Sequence, residues 1–475
     1  MGLAACARDV RAPIAIHPAA AATGLHAGPS APAWTSAQLT HLRSRLADAL
    51  RSTAAANSGI AILDANARPL YTLRERAPFA PASTFKVLAA IGSLESYGPN
   101  FRFETDLRSL DDPADGIVKS DLYLVGSGDP TLTSDDLRSG VGAVYRSGAR
   151  SVEGALVADA SAFAGPEVNK DWDPDDLQYG FAAGTSALSV DQGTVEFHLV
   201  PSSAGVPARI DVRPRGAVRV AGSVLTSYAT SLSIDRAPAH NDFTFSGRVA
   251  VGAEQSFWRP VVNLPMYAGR VVQSMLAAHG IDVHDGVRTG VAPLGGHRLW
   301  VHRSQPLRQI VRDMLFTSNN HFAEQLLRSL GAQRGVGTEA TGALVVRSLF
   351  EREGVPTGGL RIVDGSGLAA SDRIAPLSMA TFLARAAEEP VGKTLIAALP
   401  RVGLEGTVRY RRVGAALGRA VAKSGHIENV NALAGYVHTK SHGLVTFAFI
   451  INDRRADDGP VDEGITRALD VLAEE

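Results

Sequence analysis

The chain has 475 residues, 45% of them hydrophobic and 20% charged, with a formal net charge of −1. That length exceeds one ordinary hydrophobic core, so two or three domains are expected. The near-neutral charge, without a long basic run, excludes the counterion-driven binding that nucleic-acid proteins need, and no apolar run past the first residues approaches the roughly 18 residues of a membrane span.

Residues 1–34, around HPAAAATGLHAGPSAPAW, read as a flexible leader. Within it Leu3-Ala4-Ala5-Cys6 resembles a bacterial lipobox, where a signal peptide is cut and a cysteine lipidated. Lipid on Cys6 would tie the chain loosely to a membrane. The competing readings are chance in an Ala-rich tail and a start placed too late, since only five residues precede Cys6. A lone cysteine leaves no internal disulfide and no thiolate metal site, and the 13 histidines show no ligand spacing, so neither metal nor other cofactor is expected.

From residue 36 the pattern is helical, with Leu39, Leu42, Leu46 and Leu50 on one face. GIAILD and PLYTLR follow as two strands around a turn centred on Asn66. STFKVLAAIGSLESYG then starts a helix that Gly98 and Pro99 close. Residues 100 to about 285 change character: short strands such as SDLYLVG, ALVADASAF, TVEFHLVP and FTFSGRVAVG alternate with Gly, Pro, Asp and Ser. This predicts a β-rich insertion of two modules with a boundary near 200. Strong helices return in PLRQIVRDMLFTS, NHFAEQLLRSLGAQRG and EATGALVVRSLFEREG, and the chain ends in three strand-like runs, RAVAKSGHI, NALAGYVHT and LVTFAFIIND, before a last helix. Terminal strands framing helices imply one α/β domain interrupted by the insertion.

Three short motifs carry chemistry. Ser83 and Lys86 stand three apart at a helix start, on one face, so the amine reaches the hydroxyl. A serine becomes a nucleophile only when a base takes its proton, and a lysine serves if burial or a neighbouring cation lowers its pKa. By itself this spacing equally describes a helix start with a solvated lysine. Ser318-Asn319-Asn320 is a polar turn between two apolar helices, readable as an N-cap for a helix from His321. Lys423-Ser424-Gly425 lies in a strand-like run that disfavours both Lys and Gly unless its edge faces a ligand.

In the order Ser-x-x-Lys, Ser-x-Asn, Lys-Ser/Thr-Gly, these motifs resemble the signature of penicillin-binding proteins and serine β-lactamases. Residues 87–317 separate the first two, and that long insertion resembles the D-alanyl-D-alanine carboxypeptidase/endopeptidase family of the penicillin-binding protein 4 type. LYLVGSGDPTL, DASAF, SALSVDQ, DGSGLAASDRIAP, GLEGTVRYR and NALAGYV extend the likeness over residues 40–453. The resemblance implies an α/β fold, a penicillin-recognising serine transferase (β-lactamase/transpeptidase-like) domain with an antiparallel sheet between helical layers. That domain would occupy 35–108 and 285–475, with 109–284 inserted as a second module (109–200 and 248–284) and a third (201–247).

It further implies Ser83 as the acylated nucleophile and Lys86 as its base. Ser318 would relay protons to the leaving amine and Asn320 would hold the substrate amide. Lys423 would add positive charge, Ser424, where Thr is usual, would offer its hydroxyl to the substrate carboxylate, and the backbone N–H groups of Ser83 and His426 would form the oxyanion hole past Gly425. His426 departs from the family's Thr or Ser; its ring either substitutes as a donor or stays partly exposed with only its backbone used. Asp159 matches an acidic residue that would suit a substrate amine, against the plainer reading of a strand-end Asp capping a turn. Asp364 and Ser366 are expected to shape a Gly-rich loop. The implied partners are peptidoglycan stem peptides as substrate and β-lactam antibiotics as covalent inhibitors, in the periplasm, with no nucleic acid. The alternatives are a β-lactamase or esterase of the same fold and a catalytically idle peptidoglycan-binding protein.

Overall fold

Three of the four leucines that define the first helical pattern are buried. Helix α1, Ser36–Ala49, buries Leu42 and Leu46, Leu50 closes it, and Leu39 packs at the rim. Thr35 caps it by accepting the N–H of Gln38, whose side chain accepts the N–H of Thr35 in return. Strands β1, Ser58–Leu63, and β2, Pro69–Leu73, pair antiparallel. Their turn is organised by Asp64, whose Oδ1 accepts the N–H groups of Asn66 and Arg68, rather than by Asn66. Strands β3, Ala420–Ile427, β4, Val430–His438, and β5, Leu444–Asn452, complete an antiparallel sheet of order β3-β4-β5-β1-β2. The first strand of the chain thus hydrogen-bonds to the last, which is why a long insertion between them leaves one domain intact.

The helices after β2 that frame this sheet and the nucleophile include α2, Lys86–Tyr97, α3, Leu307–Thr317, α4, Asn320–Ala332, α5, Glu339–Arg352, α6, Pro376–Glu388, and α7, Asp458–Glu474. One sheet face packs on α1 and α7 through Leu42, Leu46, Ile60, Leu433, Phe447, Phe449, Ile465 and Leu469. The other face carries α6, and α2 sits among α3, α4 and α5. The sheet therefore lies between helical layers, the α/β arrangement expected from the sequence.

The computed structural model describes residues 32–113, 115–452 and 458–475. Cys6, and with it the lipobox reading, lies outside them. Trp34 was expected to belong to the leader, but its indole stacks on His442 at 3.8 Å and packs against the α1 side of the core.

Chain contacts divide the molecule into two units, Arg102–Ser304 forming one and the segments ending at Phe101 and beginning at Gln305 the other. The sequence-based limits at 108/109 and 284/285 fall inside the Arg102–Ser304 unit. The reason is strand pairing: Glu104–Ser109 joins Leu122–Gly126 and His297–Arg303 in a five-stranded sheet that continues through Leu156–Asp159 to Val287–Thr289. The expected module boundary near 200 is also crossed, because Arg209–Arg213 pairs with Thr194–Val200. A single core cluster runs from Leu122 and Leu124 through Phe197 to Phe243, Phe245 and Val271, so the two expected modules share their apolar interior.

Candidate active site

Ser83 lies in a 3₁₀ turn, Ala82–Phe85, that runs directly into α2 with Lys86 as its first residue. Lys86 Nζ donates to Ser83 Oγ at 2.7 Å and to the Ser366 carbonyl at 2.9 Å. Ser83 is half-buried, whereas Lys86 has no exposed surface. Burial pushes the Lys86 ammonium down to about 7, against the pull of the nearby Asp364 and Glu324. The solvated-lysine reading is thereby removed: this amine is dry, and it points at a serine oxygen.

Lys423 is equally buried, and burial first, then the charge of Lys86, hold it well below the usual lysine range. It was expected to supply fixed positive charge, but two dry ammonium groups near one another oppose each other's ionisation. Its Nζ donates to the Ser424 carbonyl at 2.6 Å.

Strand β3 is an edge of the sheet, as Lys and Gly in a strand suggested. The N–H of Ala422 donates outward to Pro400, and the carbonyl of Ala420 accepts from Val402, so even-numbered residues turn their peptide groups away from β4. By the same alternation the N–H groups of Ser424 and His426 face the open edge. That edge adjoins the nucleophile turn: a Cβ on Gly425 would come 2.7 Å from the Pro81 carbonyl oxygen and 3.0 Å from the Thr84 nitrogen. Glycine is required there because any side chain would wedge strand and turn apart. The His426 ring is exposed. Ser424 Oγ shares a 2.7 Å hydrogen bond with Thr407 Oγ1, from the GLEGT stretch.

Ser318 ends α3 in the left-handed conformation, φ 60°, ψ 39°, which a non-glycine residue adopts at a cost. Asn319 caps α4, accepting the N–H of Phe322 at 3.1 Å, and Asn320 is the first residue of that helix. The capping reading thus belongs to Asn319, and the helix starts at Asn320, one residue earlier than expected from sequence. Both α3 and α4 pack on α2, the helix that opens with Lys86.

Asp159 belongs to the Arg102–Ser304 unit, buried at the end of its strand. Its oxygens accept the N–H groups of Ser161 at 2.8 Å and Ala292 at 2.7 Å, the contacts of a turn-capping Asp. A role toward a substrate amine rests on the resemblance alone.

Behind Lys86 lies a group of carboxyls that sequence reasoning noticed only in part. Asp364 fastens the Gly-rich loop as expected, accepting from Gly367 at 2.6 Å and Ala369 at 2.7 Å. Glu324 and Asp372 went unread. Glu324 is buried on α4, and burial, then the neighbouring Asp364 charge, push it up to about 8. Asp372 is held well above the usual carboxylate range by burial and by Asp364 beside it. Thr407 was also missed, having been quoted only as part of a stretch.

The model of the D-Ala-D-Ala carboxypeptidase 3 (S13) family matches residues 39–475. A D-alanyl-D-alanine carboxypeptidase of Actinomadura sp. (strain R39) is 32% identical over 95% of this chain and 88% of its own. The D-alanyl-D-alanine carboxypeptidase DacB of Haemophilus influenzae is 26% identical over 79% of this chain and 81% of its own. Among solved structures, penicillin binding protein 4 from Haemophilus influenzae superposes with a TM-score of 0.80 at 24% identity, covering 90% of this chain and 99% of that one.

Proposed function

The chain belongs to the D-Ala-D-Ala carboxypeptidase 3 (S13) family and is a serine peptidase, and from that premise we propose how its residues carry the reaction. Ser83 Oγ attacks the carbonyl carbon of the penultimate D-Ala of a peptidoglycan stem peptide while its proton passes to Lys86 Nζ. The observation that carries this reading is the dry Lys86 amine, depressed to about 7, 2.7 Å from the serine oxygen. A base poised near neutrality is what general-base catalysis asks for. The developing oxyanion is met by the N–H groups of Ser83 and His426, the latter on the open edge of β3 beside the nucleophile turn. Ser318 passes the proton on to the departing amine, Asn320 holds the substrate amide, and water then releases the acyl group from Ser83.

Lys423 and Ser424 receive the terminal carboxylate. An anion arriving beside Lys423 favours its ammonium form and so opposes the depression caused by burial and Lys86. The charge expected from sequence is then one that substrate helps to create. With a cross-linked amine as leaving group the same steps give endopeptidase action, and a β-lactam acylates Ser83 in place of the peptide. Such substrates lie outside the cytoplasmic membrane, which places the enzyme in the periplasm or an equivalent space.

The test is release of D-alanine from a pentapeptide ending in D-Ala-D-Ala. Wild type should release it and Ser83→Ala should not; equal release by both would overturn the assignment of the nucleophile.

A further inference from the structure

The reaction uses Lys86 but assigns no task to Glu324, a buried carboxyl one helical turn beyond Asn320 on the same face of α4. Its oxygens are both engaged: Oε1 accepts the N–H of Ser366 at 2.8 Å and Oε2 that of Gly365 at 3.0 Å. The backbone they hold leads directly to the base, since the carbonyl of Ser366, in the next peptide along, receives Lys86 Nζ at 2.9 Å. A line of contacts thus runs from Glu324 through the Ser366 backbone to Lys86 and on to Ser83.

The loop has little freedom to take another path. Asp364 Oδ1 accepts Ser366 and Gly367 N–H groups at 3.0 and 2.6 Å. A Cβ at Gly365 would stand 2.5 Å from the Ala323 carbonyl oxygen on α4, and one at Gly367, where φ is +75°, 2.0 Å from that of Ala82. The segment 365–367 is therefore wedged between α4 and the nucleophile turn, and Glu324 is the side chain that fixes its α4 side.

A neutral lysine amine has two hydrogens and one lone pair. To act as base it must aim the lone pair at Ser83 Oγ, which requires its hydrogens to be occupied elsewhere. The Ser366 carbonyl takes one of them. We propose that Glu324 is a positioning residue for the acylation base, acting through the backbone of Ser366 to orient Lys86 Nζ toward Ser83. It touches neither substrate nor the reacting atoms. This deepens the function proposed above and rests on acylation at Ser83.

The charged groups around Lys86 are Glu324 from α4, Asp364 from the Gly-rich loop and Lys423 from β3, with Asp372 behind Asp364. Glu324, itself pushed up to about 8, is mostly uncharged where Lys86 titrates near 7 and gains its charge above that. The wild-type acylation profile should therefore carry a second inflection near pH 8, from Glu324, that Glu324→Gln lacks.

The experiment measures acylation of Ser83 by a fluorescent penicillin from pH 5 to 10 for wild type, Glu324→Gln and Asp372→Asn, with a melting curve for each. Glu324→Gln keeps one acceptor oxygen and the side-chain volume. It should acylate about 10- to 100-fold more slowly at its optimum, the order expected for a displaced catalytic group, and its profile should lack the inflection near pH 8. Asp372 holds the same loop at Val363 rather than at Ser366; the melting temperature of Asp372→Asn should fall while the inflection near pH 8 remains. A Glu324→Gln profile that superposes on wild type within twofold overturns the proposal, as does an equal slowing with loss of the same inflection in Asp372→Asn. If Glu324→Gln does not fold, the same readings are taken on Glu324→Asp, and failure of both variants to fold overturns it in favour of a purely structural carboxylate. Absence of Ser83 labelling in wild type would instead refute the underlying function.

Discussion

Replacing Lys86 by Met separates what burial of this amine costs the fold from what it does for the reaction. In the native chain Lys86 titrates at about 7 against an ordinary 10.5. The folded value is depressed, so between these limits the unfolded chain binds more protons and native stability rises with pH. The penalty is complete below pH 7, shrinks up to 10.5 and is absent above. At about 1.4 kcal/mol per pH unit its full size is about 5 kcal/mol, of which about 2 kcal/mol disappears between pH 7 and 9. Lys86→Met has no such term. Its stability relative to wild type should therefore be most favourable at low pH and decline by about 2 kcal/mol between pH 7 and 9. Two lost hydrogen bonds, to Ser83 and Ser366, subtract about 1 kcal/mol each at every pH. Denaturant unfolding of both proteins at pH 6, 7, 8 and 9 measures the gap. A gap that stays constant from pH 7 to 9 would refute the depressed amine. The catalytic return is comparable in size: at pH 7 about half of such a lysine is free base, against about 3 in 10,000 for an ordinary one, roughly a thousandfold difference in usable base.

Ser318→Gly should relieve the left-handed backbone while removing the hydroxyl. The melting temperature should hold or rise, by up to about 1 kcal/mol of stability, while acylation falls at least about tenfold; a lower melting temperature would show that the φ of 60° is not a strain. Gly425→Val should push β3 from the Ser83 turn and lower penicillin labelling by about a hundredfold, the scale of a misplaced reacting group, whereas labelling equal to wild type would mean that the close approach is dispensable. His426→Thr restores a hydroxyl beside Ser424. It should raise turnover of a peptide with a free terminal carboxylate over its amidated analogue by a few-fold, about the value of one hydrogen bond, read as the ratio of the two kcat/KM values.

The sequence carried the fold of the catalytic unit well because its signals are local. The leucines of α1, the Gly98 stop after α2 and the alternating apolar strands at both ends each act within a few residues. Pairing is not local, and the limits of the inserted unit were misplaced for that reason: nothing in ETDLRS says that its partners are Leu122–Gly126 and His297–Arg303. Trp34 was grouped with an Ala- and Pro-rich leader because its partner, His442, lies at the other end of the chain. In the site, residues with a spacing or an unusual place in an element were legible, as with Ser83, Lys86, Ser318 and Gly425. Glu324 was not, because a glutamate in an amphipathic helix reads as its solvated face and only tertiary packing reveals that it is dry. Its one usable signal was its position four residues after Asn320. Lys423 was legible as a site residue, but its depressed ionisation follows from the proximity of Lys86, which no spacing displays.

The central claim is a covalent one, that Ser83 is acylated because Lys86 removes its proton. Intact-mass analysis after exposure to a penicillin, followed by mapping of the labelled peptide, tests it most directly. Wild type should gain one penicilloyl mass, located on Ser83 in FAPASTFKVLAA, and both Ser83→Ala and Lys86→Met should remain unmodified in the same interval. An unmodified wild type, or a label that persists in Ser83→Ala, would contradict the account.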